Sequence, residues 1–181
     1  PMANDPSCQL SAKQAALLAP EALFTTDAIS QAMDDIKKGT MPGGNGITVD
    51  LIAHRPWRDA MVAHVSRLCT HIFSNRKEMT PNMREAVISI LYKGKGLPRD
   101  LCKSHRPVSL TDATCRIIDK VVQTALNKVM PSVLCGINKA FLPKERMEHS
   151  TLSLAEVARH VDKHEGGAIV GLDLTAAYDR C

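Results

Sequence analysis

The sequence predicts an α+β fold, rich in helix, with one β-hairpin and one later buried strand. Three observations carry this. Apolar residues recur at helical spacing through several segments; a β-branched run at 86–92 is followed, after a basic loop, by an extended Arg106-Pro107 step; and residues 168–172 form a short apolar run. The 181 residues are 44% hydrophobic and 23% charged, the balance of a globular domain with its own core.

The lead through about Pro20 is polar and runs into a short Ala/Leu-rich helix. The next helix is expected over 26–38. Thr26 caps it, Asp27 suits its positive start, Ile29, Met33 and Ile36 share a face, and Lys37 and Lys38 suit a last turn closed by Gly39. Pro42-Gly43-Gly44-Asn45-Gly46-Ile47 is a turn-forming cluster that lacks the Gly-x4-Gly-Lys-Ser/Thr spacing of nucleotide-binding P-loops. A second helix is expected near 57–73 on the stripe Met61, Val65, Leu68 and Ile72.

Val87, Ile88, Ile90 and Leu91 read as a strand, and Arg106-Pro107-Val108-Ser109-Leu110 as its hairpin partner. Thr111 or Asp112 then caps a long helix. Its apolar face is Ile117, Ile118, Val121, Val122, Ala125, Leu126 and Val129, and it is expected to end at Pro131. A further helix is expected over 150–164, closed by Gly166-Gly167, before the strand 168–172 that ends on Asp173. A carboxylate at the end of a buried strand needs a partner; a bound cation is one answer, a cap or turn the other.

Net charge is +4, and its placement is informative. Lys93, Lys95, Arg99, Lys103 and Arg106 crowd one loop against Asp100 alone. Such a concentration suits a phosphate-binding surface; the plainer reading is a solvated loop. No apolar run approaches the roughly 20 residues of a membrane span and no signal pattern opens the chain, so a soluble intracellular protein is expected. The nucleus is an option without a signal to support it. The six cysteines, Cys8, Cys69, Cys102, Cys115, Cys135 and Cys181, are scattered and read as reduced thiols. His160 and His164 have zinc-compatible spacing but lack the Glu of a His-Glu-x-x-His motif, and Cys69 with His71 or Cys102 with His105 lack an orienting third group.

The order of these pieces carries a resemblance. A capped helix, then PGGNGI at 42–47, a strand ending at Lys93, a glycine-containing basic loop, RPVSL at 106–110, a long amphipathic helix, INKAF at 137–141 and GLDLTAAYDR at 171–180 resemble the fingers and early palm of reverse transcriptases of non-LTR, LINE-type retrotransposons. The resemblance covers roughly residues 22–181. It implies an incomplete right-hand polymerase: a lead at 1–20, helix-rich fingers with a hairpin at 21–165, and the first palm strand with its catalytic motif at 166–181. The implied activity is RNA-directed DNA polymerisation, with an RNA template, a DNA primer, deoxynucleoside triphosphates and the rest of the palm and thumb as partners.

By the same resemblance Asp173 is a ligand of the two catalytic Mg2+ ions, which as hard cations require oxygen ligands on a rigid strand end. Tyr178 occupies the place of the aromatic that excludes a ribose 2′-hydroxyl, with Asp179 after it. Lys93 and Arg106 match the residues that hold the incoming triphosphate, Arg106 as a bidentate fork and Lys93 as a point charge. Lys95, Arg99 and Lys103 are expected to add field and template contacts. The family's Gln-x-Gly-Phe element is here Asn138-Lys139-Ala140-Phe141, and Arg146 is the loose counterpart of the arginine in the template-gripping turn that follows. A shorter amide and an added Cβ put template handling in question.

The second acidic element of such a polymerase, an aromatic-x-Asp-Asp turn, does not follow Asp179, so this chain by itself is expected to be inactive. Two other readings stand beside the polymerase. One is a catalytically inactive, nucleic-acid-binding relic of the same domain, although 3% aromatic residues is little for a base-stacking platform. The other is an unrelated helical interaction protein, which requires Asp173 to sit in a helix.

Overall fold

The computed structural model describes residues 10–75, 77–94, 96–134, 144–163, 168, 170 and 171. The chain divides into two compact units, residues 1–133 and 134–181.

In the first unit, short helices α1 (Ala12–Leu17) and α2 (Pro20–Leu23) lead into α3 (Thr26–Asp35). Helix α4 (Val49–Ile52) is followed by α5 (Arg55–Ser74) and the single turn α6 (Pro81–Arg84). Strands β1 (Val87–Tyr92) and β2 (His105–Leu110) come next, with a 3-10 turn (Cys102–Ser104) before β2, and then α7 (Ala113–Val133). Helix α3 packs against both α5 and α7. Phe24, Ile29 and Met33 therefore join Val49, Ile52, Val62, Val65, Cys69, Ile117, Ile118 and Val121 in one apolar core. Burying each of the larger of these side chains contributes about 1.5–3 kcal/mol.

The expected helix at 26–38 exists but is shifted and shortened. Thr25 is the cap, its hydroxyl accepting from the Ala28 N–H at 3.2 Å, and Ile36 is already extended, so Lys37 and Lys38 lie beyond the helix. The cause is tertiary: the Gly39 N–H donates to the Asp50 carboxylate at 2.9 Å with Gly39 at φ +66°, which turns the chain toward the glycine cluster. Asp34 at the end of α3 takes both arms of the Arg58 guanidinium at 2.8 Å, and Arg58 also donates to the Ser30 carbonyl at 2.9 Å. That bidentate link ties the start of α5 to α3.

Helix α5 buries Val62, Val65, Cys69 and Ile72, so the core stripe runs through Val62 and Cys69, with the predicted Met61 and Leu68 only partly buried beside it. Helix α7 runs two residues past Pro131. A proline near a helix end removes one hydrogen bond without an interior kink, and Ser132 Oγ covers a last-turn acceptor by donating to the Val129 carbonyl at 2.7 Å. Leu126, placed on the apolar face by periodicity, is exposed.

The hairpin forms as predicted, with Val87 opposite Leu110 and Tyr92 opposite His105. Neither strand packs extensively on a helix. The hairpin root is held instead by the glycine cluster. Gly43 lies against Thr111 and Asp112, the Asn45 N–H donates to Asp112 Oδ1 at 3.3 Å, and a cleft of about 230 Å³ opens beside it, lined by Asn82, Glu85 and Val87. Arg116 locks the same region, donating to Thr40 Oγ1 at 2.8 Å, to the Thr111 carbonyl at 3.0 Å and to the Met41 carbonyl.

The second unit contains α8 (Met147–Lys163), which begins three residues earlier than expected. Its side chains are largely exposed, with Arg159 paired to Glu156 at 2.5 Å. Ala168, Val170 and Gly171 belong to neither helix nor strand, and Val170 is 75% exposed. The buried strand expected at 168–172 is thus absent at Ala168, Val170 and Gly171, while positions 169 and 172 lie outside the described residues. A strand exists only against a hydrogen-bonded neighbour, and among the described residues the sheet consists of β1 and β2 alone.

Candidate phosphate-binding hairpin

Antiparallel pairing sorts the hairpin's side chains by face. Val87, Ser89 and Leu91 share one face with Arg106, Val108 and Leu110; Ile88, Ile90 and Tyr92 share the other with His105, Pro107 and Ser109. Lys93 is the next residue along and alternates onto the Arg106 face. The ladder continues there, the Lys93 N–H donating to the Ser104 carbonyl at 2.8 Å.

Of the residues expected to hold a triphosphate, Lys93 and Arg106 are therefore brought to one face, close to the loop. Lys93 Nζ donates to the Lys103 carbonyl at 2.5 Å, a neutral partner, and among the described residues no hydrogen bond takes its other two donors. Arg106 and Lys103 are exposed. Among the described residues, no carboxylate forms an ion pair with Lys93, Arg99, Lys103 or Arg106. A cation group without internal counter-charge attracts phosphate oxygens.

Arg99 is placed differently. Its guanidinium lies over the Tyr92 ring, 4.8 Å from the centroid, on a side chain of the opposite face. Tyr92 also donates its hydroxyl to the Leu97 carbonyl and sits beside the His105 ring at 5.6 Å. Tyr92 carried only the weak sequence signal of an aromatic ending a strand, and its role across the loop was not foreseen. Gly94 and Gly96 take φ of +72° and +68°, so the loop's turn depends on glycine there.

Asp173, Tyr178, Asp179, Lys95 and Asn138 to Phe141 lie outside the described residues. Arg146 belongs to the second unit, where it is exposed just ahead of α8. Among the described residues, no three His, Cys, Asp or Glu side chains converge on a metal position, so the Mg2+ assignment rests on Asp173 by resemblance.

The other sequence-level pairs fare plainly. Cys69 is fully buried, and burial pushes its thiol up to about 11, with Cys115 adding to the effect. Burial also raises Cys115, reinforced by Asp119 and Asp112. Both are core thiols held neutral rather than nucleophiles. The His105 ring engages the Leu101 carbonyl at 3.1 Å through Nδ1, a contact that serves the loop. His164 lies outside the described residues. No described helix is long and apolar enough to cross a membrane.

Over 162 residues the chain is 28% identical to the Transposon TX1 uncharacterized 149 kDa protein of Xenopus laevis. It is similar to a transposon protein. The alignment takes in 88% of this chain and 12% of that protein, so the chain spans about an eighth of its relative's length. No family model matches. The likeness supports a transposon origin and extends across both the helical core and the hairpin.

Proposed function

We propose that this chain is the fingers portion, with the opening of the palm, of a reverse transcriptase of the non-LTR, LINE-type kind. The observation that carries the reading is the pairing of Lys93 and Arg106 on one face of a hairpin, with no acid partner among the described residues. The transposon likeness, which covers nearly the whole chain, supports the same reading.

In this reading the hairpin receives the incoming deoxynucleoside triphosphate. Arg106 offers a planar fork to two phosphate oxygens and Lys93 a mobile point charge. Lys103, and Lys95 in the same loop, add field for the phosphates and the template. Asp173 would hold Mg2+ together with further carboxylates, and the two ions would neutralise charge on the triphosphate and the attacking 3′-hydroxyl. Tyr178 would close the sugar pocket against a 2′-hydroxyl.

The test is binding of dTTP by this chain at low salt. Wild type should bind, and Lys93→Ala combined with Arg106→Ala should weaken binding by about a hundredfold or more, each charged hydrogen bond contributing about 1.5–3 kcal/mol. In a polymerase that includes the rest of the palm and thumb, Arg106→Ala should raise the nucleotide KM far more than Lys95→Ala. Unchanged dTTP affinity in the double variant would refute the assignment. The nucleic-acid-binding relic is favoured by Asn138 and Ala140, which replace the glutamine and glycine of the template element. Salt-dependent binding of single strands without nucleotide incorporation by the longer protein selects it.

A further inference from the structure

We infer that Tyr92 is a positioning residue for the phosphate-binding loop, and that Arg99 acts as its partner in a staple rather than as a phosphate ligand. The inference rests on the function proposed above and adds to it a division of labour among the loop's cations.

Three contacts converge on one side chain. The Tyr92 ring carries the Arg99 guanidinium on its face, its hydroxyl reaches the Leu97 carbonyl, and its edge lies beside His105 across the ladder. Arg99 and Leu97 belong to the stretch between the strands, and His105 is the first residue of β2. One tyrosine at the end of β1 therefore holds the far side of the loop to both strands. His105 extends the tie, its Nδ1 engaging the Leu101 carbonyl.

The reason such a staple is needed lies in the backbone. Gly94 and Gly96 both adopt left-handed conformations, which gives the loop the residues of greatest conformational freedom next to Lys93. A loop carrying several like charges also repels itself. Held by Tyr92, the loop presents the Lys103 carbonyl where Lys93 Nζ meets it, and that contact sets the height of the ammonium above the Arg106 face. Arg99 is spent on the ring of the opposite face, so it contributes to triphosphate affinity through the loop's geometry. Tyr92 itself touches no ligand in this scheme.

The test is a double-mutant cycle read in dTTP affinity, with Tyr92→Leu, Arg99→Ala and the combined variant. An exposed cation–π contact corresponds to about a two- to fivefold change, so each single variant should weaken binding by about that factor and the pair by no more than either one. Tyr92→Phe, which keeps the ring, should retain most of the affinity. Additive losses would mean that Arg99 meets the phosphates directly, and would overturn the inference while leaving the proposed function intact. Unchanged affinity on removing both Lys93 and Arg106 side chains would instead remove the function, and the inference with it. Amide hydrogen exchange supplies an independent readout. In Tyr92→Leu the Leu97 and Ser104 N–H groups, which bond to the Gly94 and Leu101 carbonyls, should exchange faster while the ladder from Val87 to Leu91 keeps its protection. Unaltered exchange at Leu97 and Ser104 would also overturn the staple.

Discussion

Replacing Gly43 by alanine tests how the hairpin root is held, because the three glycines of the cluster differ in what a side chain there would meet. A Cβ on Gly43 would lie 2.6 Å from the Asp112 backbone nitrogen and 2.7 Å from the Thr111 carbonyl carbon, as well as against Asp112 Oδ1. The carboxylate can swing away; the two backbone atoms cannot, since they belong to the junction of β2 and α7. Relief requires the loop to lift. Overpacking of this kind costs about 1–3 kcal/mol, and losing the Asn45 hydrogen bond to Asp112 adds about 1 kcal/mol.

At Gly46 a side chain would meet no atom within 4 Å, but φ is +71°, so alanine there costs about 1–2 kcal/mol of backbone strain. At Gly44 the nearest atom is Val87 Cγ2 at 3.6 Å, an ordinary contact, and alanine should be neutral within about 0.5 kcal/mol. The expected order of destabilisation is Gly43→Ala, then Gly46→Ala, then Gly44→Ala, read as urea midpoints by far-UV circular dichroism with the slope unchanged. A Gly43→Ala chain as stable as Gly44→Ala would refute the close approach of the cluster to Asp112.

Arg116→Ala removes donors from Thr40, Met41 and Thr111 at once; it should destabilise the chain by about 2–4 kcal/mol, given the strength of charged hydrogen bonds, and limited proteolysis should then cut within 37–47. Arg58 holds the Asp34 carboxyl below the usual carboxylate range, so their pairing is present at neutral pH and is lost as pH falls through that lowered value; Asp34→Asn should flatten the acid limb of Tm against pH. The Cys69 thiol is raised from the ordinary value near 9 to about 11, so stability is full below pH 9 and falls as pH climbs toward 11, by roughly 3 kcal/mol in all; Cys69→Ala should remove that slope in Tm between pH 9 and 11. Alkylation of the native chain should modify Cys102 quickly and Cys69 and Cys115 only on unfolding, as read by peptide mass.

What was legible in the sequence follows the range of each interaction. Helices α5 and α7 were legible because their apolar periodicity is long, and the hairpin because Pro107 forces an extended partner for the β-branched run. The end of α3 was not, because it is decided by the Gly39 contact with Asp50, eleven residues away in sequence. The stripe of α5 was displaced by one residue, since Met61 and Val62 are equally apolar and only packing on α3 chooses between them. In the candidate site, clustering of cations was visible in composition, but their division between two faces needed the strand register. Tyr92 could not have been singled out, because nothing in its neighbours announces that Arg99 folds back on it.

The hairpin meets the helices mainly at its root, where residues 85–86 lead in and Thr111 and Asp112 lead out. Mechanically it is a cantilever: a ligand that pulls on Lys93 or Arg106 applies torque at those two short crossings. With Gly43 wedged against one of them and Arg116 bracing the same corner, a load taken up at the tip is delivered to the backbone at Thr111 and Asp112.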